Sequence, residues 1–577
     1  MQLAQRLRLP AVLCSAAVLL CALISHPYAN MGISDDGPYI LMAQTLARTG
    51  HVAYNGWAAP MLGWQLYLGA AFIRLFGFSF TTVRISTLLV AALMAFVLQR
   101  TLVRAGIQER NATIGTLALV LSPLYLMLSV AYLTDITGLF AVVLCLYGCL
   151  RALQASTSRA AVAWLGFAVG TNAICGTARQ IAWLGVLVMV PSALYLLRSR
   201  RRVLFAGAIA TMAGALFILA CMLWLRHQPY SVPEHLDLHK GGEFDALAAI
   251  TSAILDLPFL LLPISALFLP ELFRNLRGTI AAASLATFAY LLTPLATYHW
   301  RGYLHLVPLL EPVMGDWVTK YGGYLAISPI KLAPVFLPVC IRLTLAVASL
   351  GGLIGLLASL LSLGRRPPES QSQQPSQWRH LAILLTPFTV VYSLLLIPRA
   401  ASADGIFDRY LLELLPVALI WMLRYYQDRI ASRLPRATPV LVTIMAFYSA
   451  VIIHNMFSFY RARVTLAAEI RANGIRDSSV DYGWEYNFTT ELRHSDHIND
   501  PHIVFPPHAY IPAPPPPAGA CPMFWADKTP HIRPLYGVSF DPNACYGPAP
   551  FAPVHYSRWP YRTPGTLYVV RYLPPKA

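Results

Sequence analysis

The sequence predicts an all-α polytopic membrane protein of about 13 transmembrane helices, followed by a small C-terminal mixed α/β domain outside the membrane. Three observations carry this. Of the 577 residues, 57% are hydrophobic and only 12% charged, against about 45–50% and about 25% in an ordinary soluble domain. Mean hydropathy is +0.55. Apolar runs of about 17–25 residues, each able to cross a hydrocarbon core of about 30 Å, recur up to residue 457. Cores of ordinary size cannot hide so much apolar surface, so lipid is the solvent for most of the chain. A cytosolic enzyme, a disordered chain and a nucleic-acid binder are thereby excluded. The formal net charge of +17 is read first as topology.

In order, the expected spans are 9–29, 82–101, 111–129, 136–153, 160–178, 181–197, 203–225, 249–270, 279–298, 333–363, 381–398, 410–426 and 437–457. Alternate connections are rich in arginine: Arg6 and Arg8, Arg100 with Arg104 and Arg110, Arg151 with Arg159, Arg198 to Arg202, Arg274 with Arg277, Arg365 with Arg366, and Arg424 to Arg436. The positive-inside rule places these in the cytoplasm. With an odd span count the N-terminus lies inside and the C-terminus outside, as in a multi-pass protein of the cell (inner) membrane. A cleaved signal peptide is the alternative for the first span. The Pro/Gln/Ser-rich link from Arg365 to Arg379 reads as a flexible hinge. Long connections at 30–81, 226–248, 299–332 and 399–409 then face the outer side, together with everything after 458. Chemistry is expected there.

Composition divides the chain into a membrane domain, 1–458, and a Pro-rich domain, 459–577, in which residues 567–572 alternate like a strand. Cys521 and Cys545 lie in the compartment where disulfides persist, and a bridge would close a loop of about 24 residues. The other seven cysteines sit in apolar runs as packing residues. No Cys/His spacing resembles a zinc site.

Carboxylates are scarce in the membrane part, so each one at a helix end is informative, because an ionised Asp near the bilayer centre costs roughly 2.5–3.5 kcal/mol. Asp35 and Asp36 follow the first span, ahead of a short amphipathic helix from Tyr39 to Thr49 that ends at Gly50. Asp135 lies in the tight turn between the third and fourth spans. Read locally, each could simply cap a helix.

The pieces gain meaning in order. Asp35-Asp36 is followed by Ala59-Pro60, Leu75-Phe76-Gly77 and Arg84-Ile85-Ser86. Then come Leu121-Ser122-Pro123, Thr134-Asp135, Thr177-Ala178-Arg179, Asp408-Arg409-Tyr410-Leu411-Leu412 and Leu414-Leu415-Pro416. This series resembles the GT-C superfamily of polyprenyl-phosphate-dependent glycosyltransferases, in the family 39-like branch that includes protein O-mannosyltransferases and the lipid A aminoarabinose transferase. It covers about 460 residues. The chain departs from the pattern in carrying Asp-Asp where relatives usually have Asp-Glu, and Arg179 where they often have Lys. Nothing after residue 459 matches.

The resemblance implies a GT-C-like fold with a catalytic first outer loop at 30–81, and transfer of a sugar from a polyprenyl-phosphate donor to a lipid, glycan or protein acceptor at the outer face, with inversion. Such a displacement needs a carboxylate to take the acceptor's proton, and Asp35 is the candidate base. The leaving phosphate needs cations, for which Arg179, Arg409, Arg301 and His299 are candidates. The bland reading of any one of these arginines is snorkelling to headgroups. Asp36 and Asp135 are candidates to orient the acceptor or to bind a divalent cation, Mg²⁺ or Mn²⁺. Tyr54, Trp57, Trp64, Tyr303 and Trp317 would stack on a sugar or form the interfacial belt. The tripeptide Asn487-Phe488-Thr489 is given no functional weight. A transporter or flippase, a polysaccharide polymerase or ligase, and a non-catalytic scaffold are the competing readings; the chain shows no internal repeat of the kind transporters commonly carry.

Overall fold

The computed structural model describes residues 8–58, 60–232, 250, 253–291, 317–319, 321–324, 333, 335–361, 375–402 and 406–574. His299, Arg301 and Tyr303 lie outside the described residues. The helices that position the site are α1 (Leu9–Ser25), α2 (Asp36–Thr49), α3 (Gly63–Phe76), α4 (Phe80–Arg104), α5 (Glu109–Val120), α6 (Pro123–Ser129), α7 (Thr134–Leu153), α8 (Ser158–Cys175), α9 (Arg201–Arg226), α10 (Val339–Leu361), α11 (Pro375–Ala400), α12 (Leu415–Arg429), α13 (Ala437–Ala472) and α14 (Trp484–Ser495). Helices α4, α7, α9, α10, α11 and α13 are long and apolar enough to cross a membrane. Two bent pairs raise the number to eight among the described residues. The protein is an integral membrane protein.

The expected spans and the observed helices differ for local reasons. The run 111–129 is not one straight helix but α5 and α6, bent by 68°. The break falls where Pro123 removes a backbone donor and the Ser122 hydroxyl caps the next turn, accepting from the Tyr125 N–H at 3.5 Å. The run 181–197 is a 3₁₀ turn, a π turn and an α segment in succession. Its ladder is interrupted by the buried Asn172 side chain, which accepts from the Val186 N–H at 3.0 Å and donates to the carbonyls of Ala141 and Ala182. Gly185 makes room for it: a Cβ there would lie 2.5 Å from the Asn172 amide nitrogen. The run 249–270 is likewise bent, by 84°.

Helix α2 begins at Asp36, three residues before the expected start at Tyr39. It ends as expected, with Gly50 at φ 77° donating to the Leu46 carbonyl. The composition change at residue 459 falls inside α13, which continues unbroken to Ala472. Beyond it a four-stranded sheet forms, in the order β1 (Val480–Asp481), β2 (Tyr536–Ser539), β4 (Gly565–Arg571), β3 (Val554–Tyr556). The β1–β2 pair is parallel and the other two are antiparallel. The expected strand at 567–572 is β4, and Cys521 and Cys545 are bonded, with Cα atoms 6.1 Å apart.

This C-terminal part sits on the first connecting loop. Ile498 N–H donates to the Asn55 carbonyl at 2.8 Å, while the Asn55 amide donates to Pro38 in α2. Trp57 packs among Trp484, Phe488 and Trp525, with ring centroids 4.6–5.8 Å apart. Buried Arg463 of α13 pairs with buried Glu485 of α14 at 3.0 Å. Asn487 is buried against Asp481 and is no accessible glycosylation site.

Candidate active site

Helix α2 carries the acidic pair at its N-terminus, and its two carboxylates part company. Asp36 is sealed. Its oxygens accept from Arg84 Nε at 2.7 Å, Arg84 Nη2 at 3.0 Å, the Ile33 N–H at 2.7 Å and the Tyr132 N–H at 3.3 Å. Arg84 also donates to the carbonyls of Ala29 and Met31. One buried guanidinium in α4 thus fixes the chain leading from α1 into α2 and, through Asp36, joins it to the turn before α7. Every lone pair of Asp36 is thus directed at a donor.

Asp35 is different. It occupies the N-cap position without a side-chain cap bond, so the local capping reading fails for it. Its Oδ2 accepts from Arg409 Nη1 at 2.9 Å, and the two side chains keep 17% and 14% of their surface exposed, against 0% for Asp36 and 1% for Asp135. Asp35 is the carboxylate of the three that solvent or a substrate can reach.

Asp135, in the first turn of α7, pairs with Arg179 Nη1, and Arg179 Nε lies 2.9 Å from Glu413 Oε1. Gly138, one turn on, admits the arginine stem: a Cβ there would come within 2.6 Å of Arg179 Cδ. Burial opposes the charge on Arg179, but Asp135 and Glu413 outweigh it and its pKa is raised. Glu413 is held from its other oxygen by the Tyr392 hydroxyl at 2.9 Å, which also reaches the Tyr410 carbonyl at 2.7 Å.

The Tyr410 ring joins the two pairs. The guanidinium carbons of Arg399, Arg179 and Arg409 stand 4.8, 5.4 and 5.7 Å from its centre, within the range of cation–π attraction. Tyr39, on α2, lies where the fields of Asp35, Arg409 and Asp135 overlap; burial first, and then Asp35, push its hydroxyl pKa up. Behind Arg409, buried Asp408 accepts from the Trp317 and Val318 N–H groups at 3.0 and 2.8 Å. Burial pushes its carboxyl up to about 6, against the lowering effect of those two donors.

Of the residues expected from sequence, Asp35, Asp135, Arg179 and Arg409 therefore come together around Tyr39 and Tyr410. Asp36 lies behind them. The divalent-cation role considered for Asp36 and Asp135 finds no support in the geometry, since each already meets a guanidinium. Among the described residues no group of three or more His, Cys, Asp or Glu is placed to hold a metal. The aromatic candidates among the described residues, Tyr54, Trp57, Trp64 and Trp317, are engaged in packing or hydrogen bonds. Tyr54 donates to Met61, Trp64 to Cys175, and Trp317 is fully buried against Tyr324. Glu413, Arg399, Tyr392 and the partner role of Arg84 were not anticipated. Glu413 had a signal, an acid within an apolar run, which is functional by default.

Sealed ion pairs behind one accessible carboxylate–arginine pair define a class: a membrane protein with a charged cluster at its helix ends. Residues 58–226 match the family model described as dolichyl-phosphate-mannose-protein mannosyltransferase. That match places this segment in the GT-C superfamily of glycosyltransferases, as the order of its motifs implied. No curated protein matches the sequence. Among solved structures, ArnT from Cupriavidus metallidurans in the apo state is 15% identical, with 82% of this chain and 83% of that chain covered and a TM-score of 0.40. The Archaeoglobus fulgidus oligosaccharyltransferase complexed with Zn and sulfate is 15% identical over 90% and 62%, with a TM-score of 0.42. The S. cerevisiae Pmt1-Pmt2 complex bound to its sugar donor is 16% identical over 38% and 33%, with a TM-score of 0.31.

Proposed function

We propose that the chain transfers a sugar from a polyprenyl-phosphate donor to a lipid, glycan or protein acceptor at the outer face of the cell membrane, with inversion and with Asp35 as general base. One observation carries this reading: Asp35 and Arg409 form a half-open pair, whereas Asp36 and Asp135 are closed off by Arg84 and Arg179. In the displacement the acceptor oxygen attacks the anomeric carbon, and its proton passes to Asp35. The bond from that carbon to the phosphate oxygen breaks, and the phosphate leaves with the electron pair. A phosphate needs no proton to depart, so cations suffice. Arg409 is the cation that exchanges one oxyanion, Asp35, for another, and its planar fork suits phosphate. Arg179, held between Asp135 and Glu413, fixes the Tyr410 side of the site and adds positive potential. Desolvation makes each of these charges count for more than in water.

The test is the fate of a radiolabelled polyprenyl-phosphate sugar in membranes with and without this protein. Label should move from the lipid phosphate into an acceptor only when the protein is present. Label that crosses the bilayer still attached to its lipid would instead show a flippase.

A further inference from the structure

We propose that the loop 557–562 of the C-terminal domain is a headgroup site for an anionic phospholipid, an inference independent of the glycosyltransferase reading. Helix α13 sets its level. From residue 437 to 455 the helix rises about 27 Å, close to the hydrocarbon thickness of about 30 Å, and Arg433 and Arg436 mark the opposite end. Val440, Ile444 and Phe447 on one face are 58%, 58% and 65% exposed, a stripe suited to lipid tails. Seven residues beyond Phe447, nearly two turns on, the same face carries His454, and seven further on it carries Arg461.

The loop is seated where that stripe ends. Trp559 stacks on His454, with ring centroids 3.7 Å apart and planes 12° from parallel. Asn455 grips the Trp559 backbone from both sides, donating to its carbonyl at 2.8 Å and accepting from its N–H at 2.7 Å. Ser557 N–H donates to Ser458 Oγ at 2.9 Å, and the Tyr561 hydroxyl donates to the Phe336 carbonyl. So anchored, Trp559 and Tyr561 still expose 40% and 39% of their surface. Amphipathic rings at the boundary between tails and water are membrane-interface residues.

Charge identifies the headgroup. Arg558 stands 5.4 Å from the Tyr561 ring centre, and Arg562 is exposed. Arg461 lies 4.4 Å over the ring of Tyr28, beside the end of α1. The chain carries no Asp or Glu after Asp541, so the loop has no acid of its own segment to neutralise it. Guanidiniums above a lipid-facing stripe match a phosphodiester in a lipid of net negative charge.

The test titrates the delipidated full-length protein with phosphatidylglycerol or phosphatidylcholine and counts bound lipid by native mass spectrometry. Phosphatidylglycerol should bind more tightly, and more weakly as salt rises. Arg558→Gln with Arg562→Gln should weaken it about thirtyfold, at the energy expected for two surface arginines, while leaving phosphatidylcholine binding unchanged. Trp559→Ala, which removes the seat but keeps the charges, should weaken both lipids. Equal affinity of the wild type for the two lipids, or a double variant that binds phosphatidylglycerol like the wild type, would overturn the proposal. If the double variant fails to fold, Arg562→Gln alone, at an exposed position, carries the same comparison.

Discussion

Two adjacent aspartates in one helix turn receive opposite fates because of what each faces. Asp36 points inward to Arg84 and to the Ile33 and Tyr132 N–H groups, whereas Asp35 points to the rim and to Arg409. Removing one partner of a fully buried pair leaves an uncompensated charge, at a cost of about 3–5 kcal/mol. Asp36→Asn should therefore lower thermal stability of the detergent-solubilised protein steeply. The double change Asp36→Asn with Arg84→Met should recover part of the loss, because no bare charge then remains. If Asp36→Asn left stability intact but abolished transfer, Asp36 would belong to the reacting groups after all.

At the scale of elements, the loops of the C-terminal domain are held to one another by polar contacts that depend on ionisation. Asp500 shows this. Burial alone would raise its carboxyl pKa, but Lys528 at 2.9 Å and the His502 N–H groups bring it below the usual range. A lowered folded pKa means that the unfolded chain takes up the proton first. The stabilisation is thus complete above the ordinary carboxylate pKa of about 4 and is lost as pH falls through the folded value. Thermal melts of this domain should lose stability on acidification below about pH 4, and Asp500→Asn should flatten that dependence. An unchanged acid slope in the variant would assign it to other groups. Much of this level was legible in the sequence. The alternation of residues 567–572, the stop at Gly50 and the Cys521–Cys545 pair are local or compartmental signals, and each has its counterpart in the structure. The broken helices were not legible, because the Asn172 amide interrupts residues 182–186 through contacts that appear only once the chain has folded. For the same reason the pairings of Arg84 and Glu413 were not legible, although Arg84 stood in a motif and Glu413 in an apolar run. Their partners Asp36 and Arg179 lie far along the chain, and a motif shows the residue but not what it meets.

For the whole molecule, the arginine alternation predicts thirteen crossings, a cytoplasmic N-terminus and an outer C-terminal domain. A phosphatase fused after Gly474, just past the end of α13, should be active on the outer side, and activity there only from a cytoplasmic reporter would invert the topology. That expected topology would put the Asp35–Arg409 pair at the outer ends of the helices, where a lipid phosphate and an acceptor hydroxyl can meet. The most direct measurement compares label transfer from a polyprenyl-phosphate sugar by reconstituted wild type, Asp35→Asn and Arg409→Ala, alongside donor binding by each. Asp35→Asn keeps the shape and removes the base, so turnover should fall about 10²–10⁴-fold with donor binding retained. Arg409→Ala should weaken both, since a phosphate contact exists before and during bond breaking. Near-normal transfer by Asp35→Asn would contradict the assignment of Asp35 as the base on which this account rests.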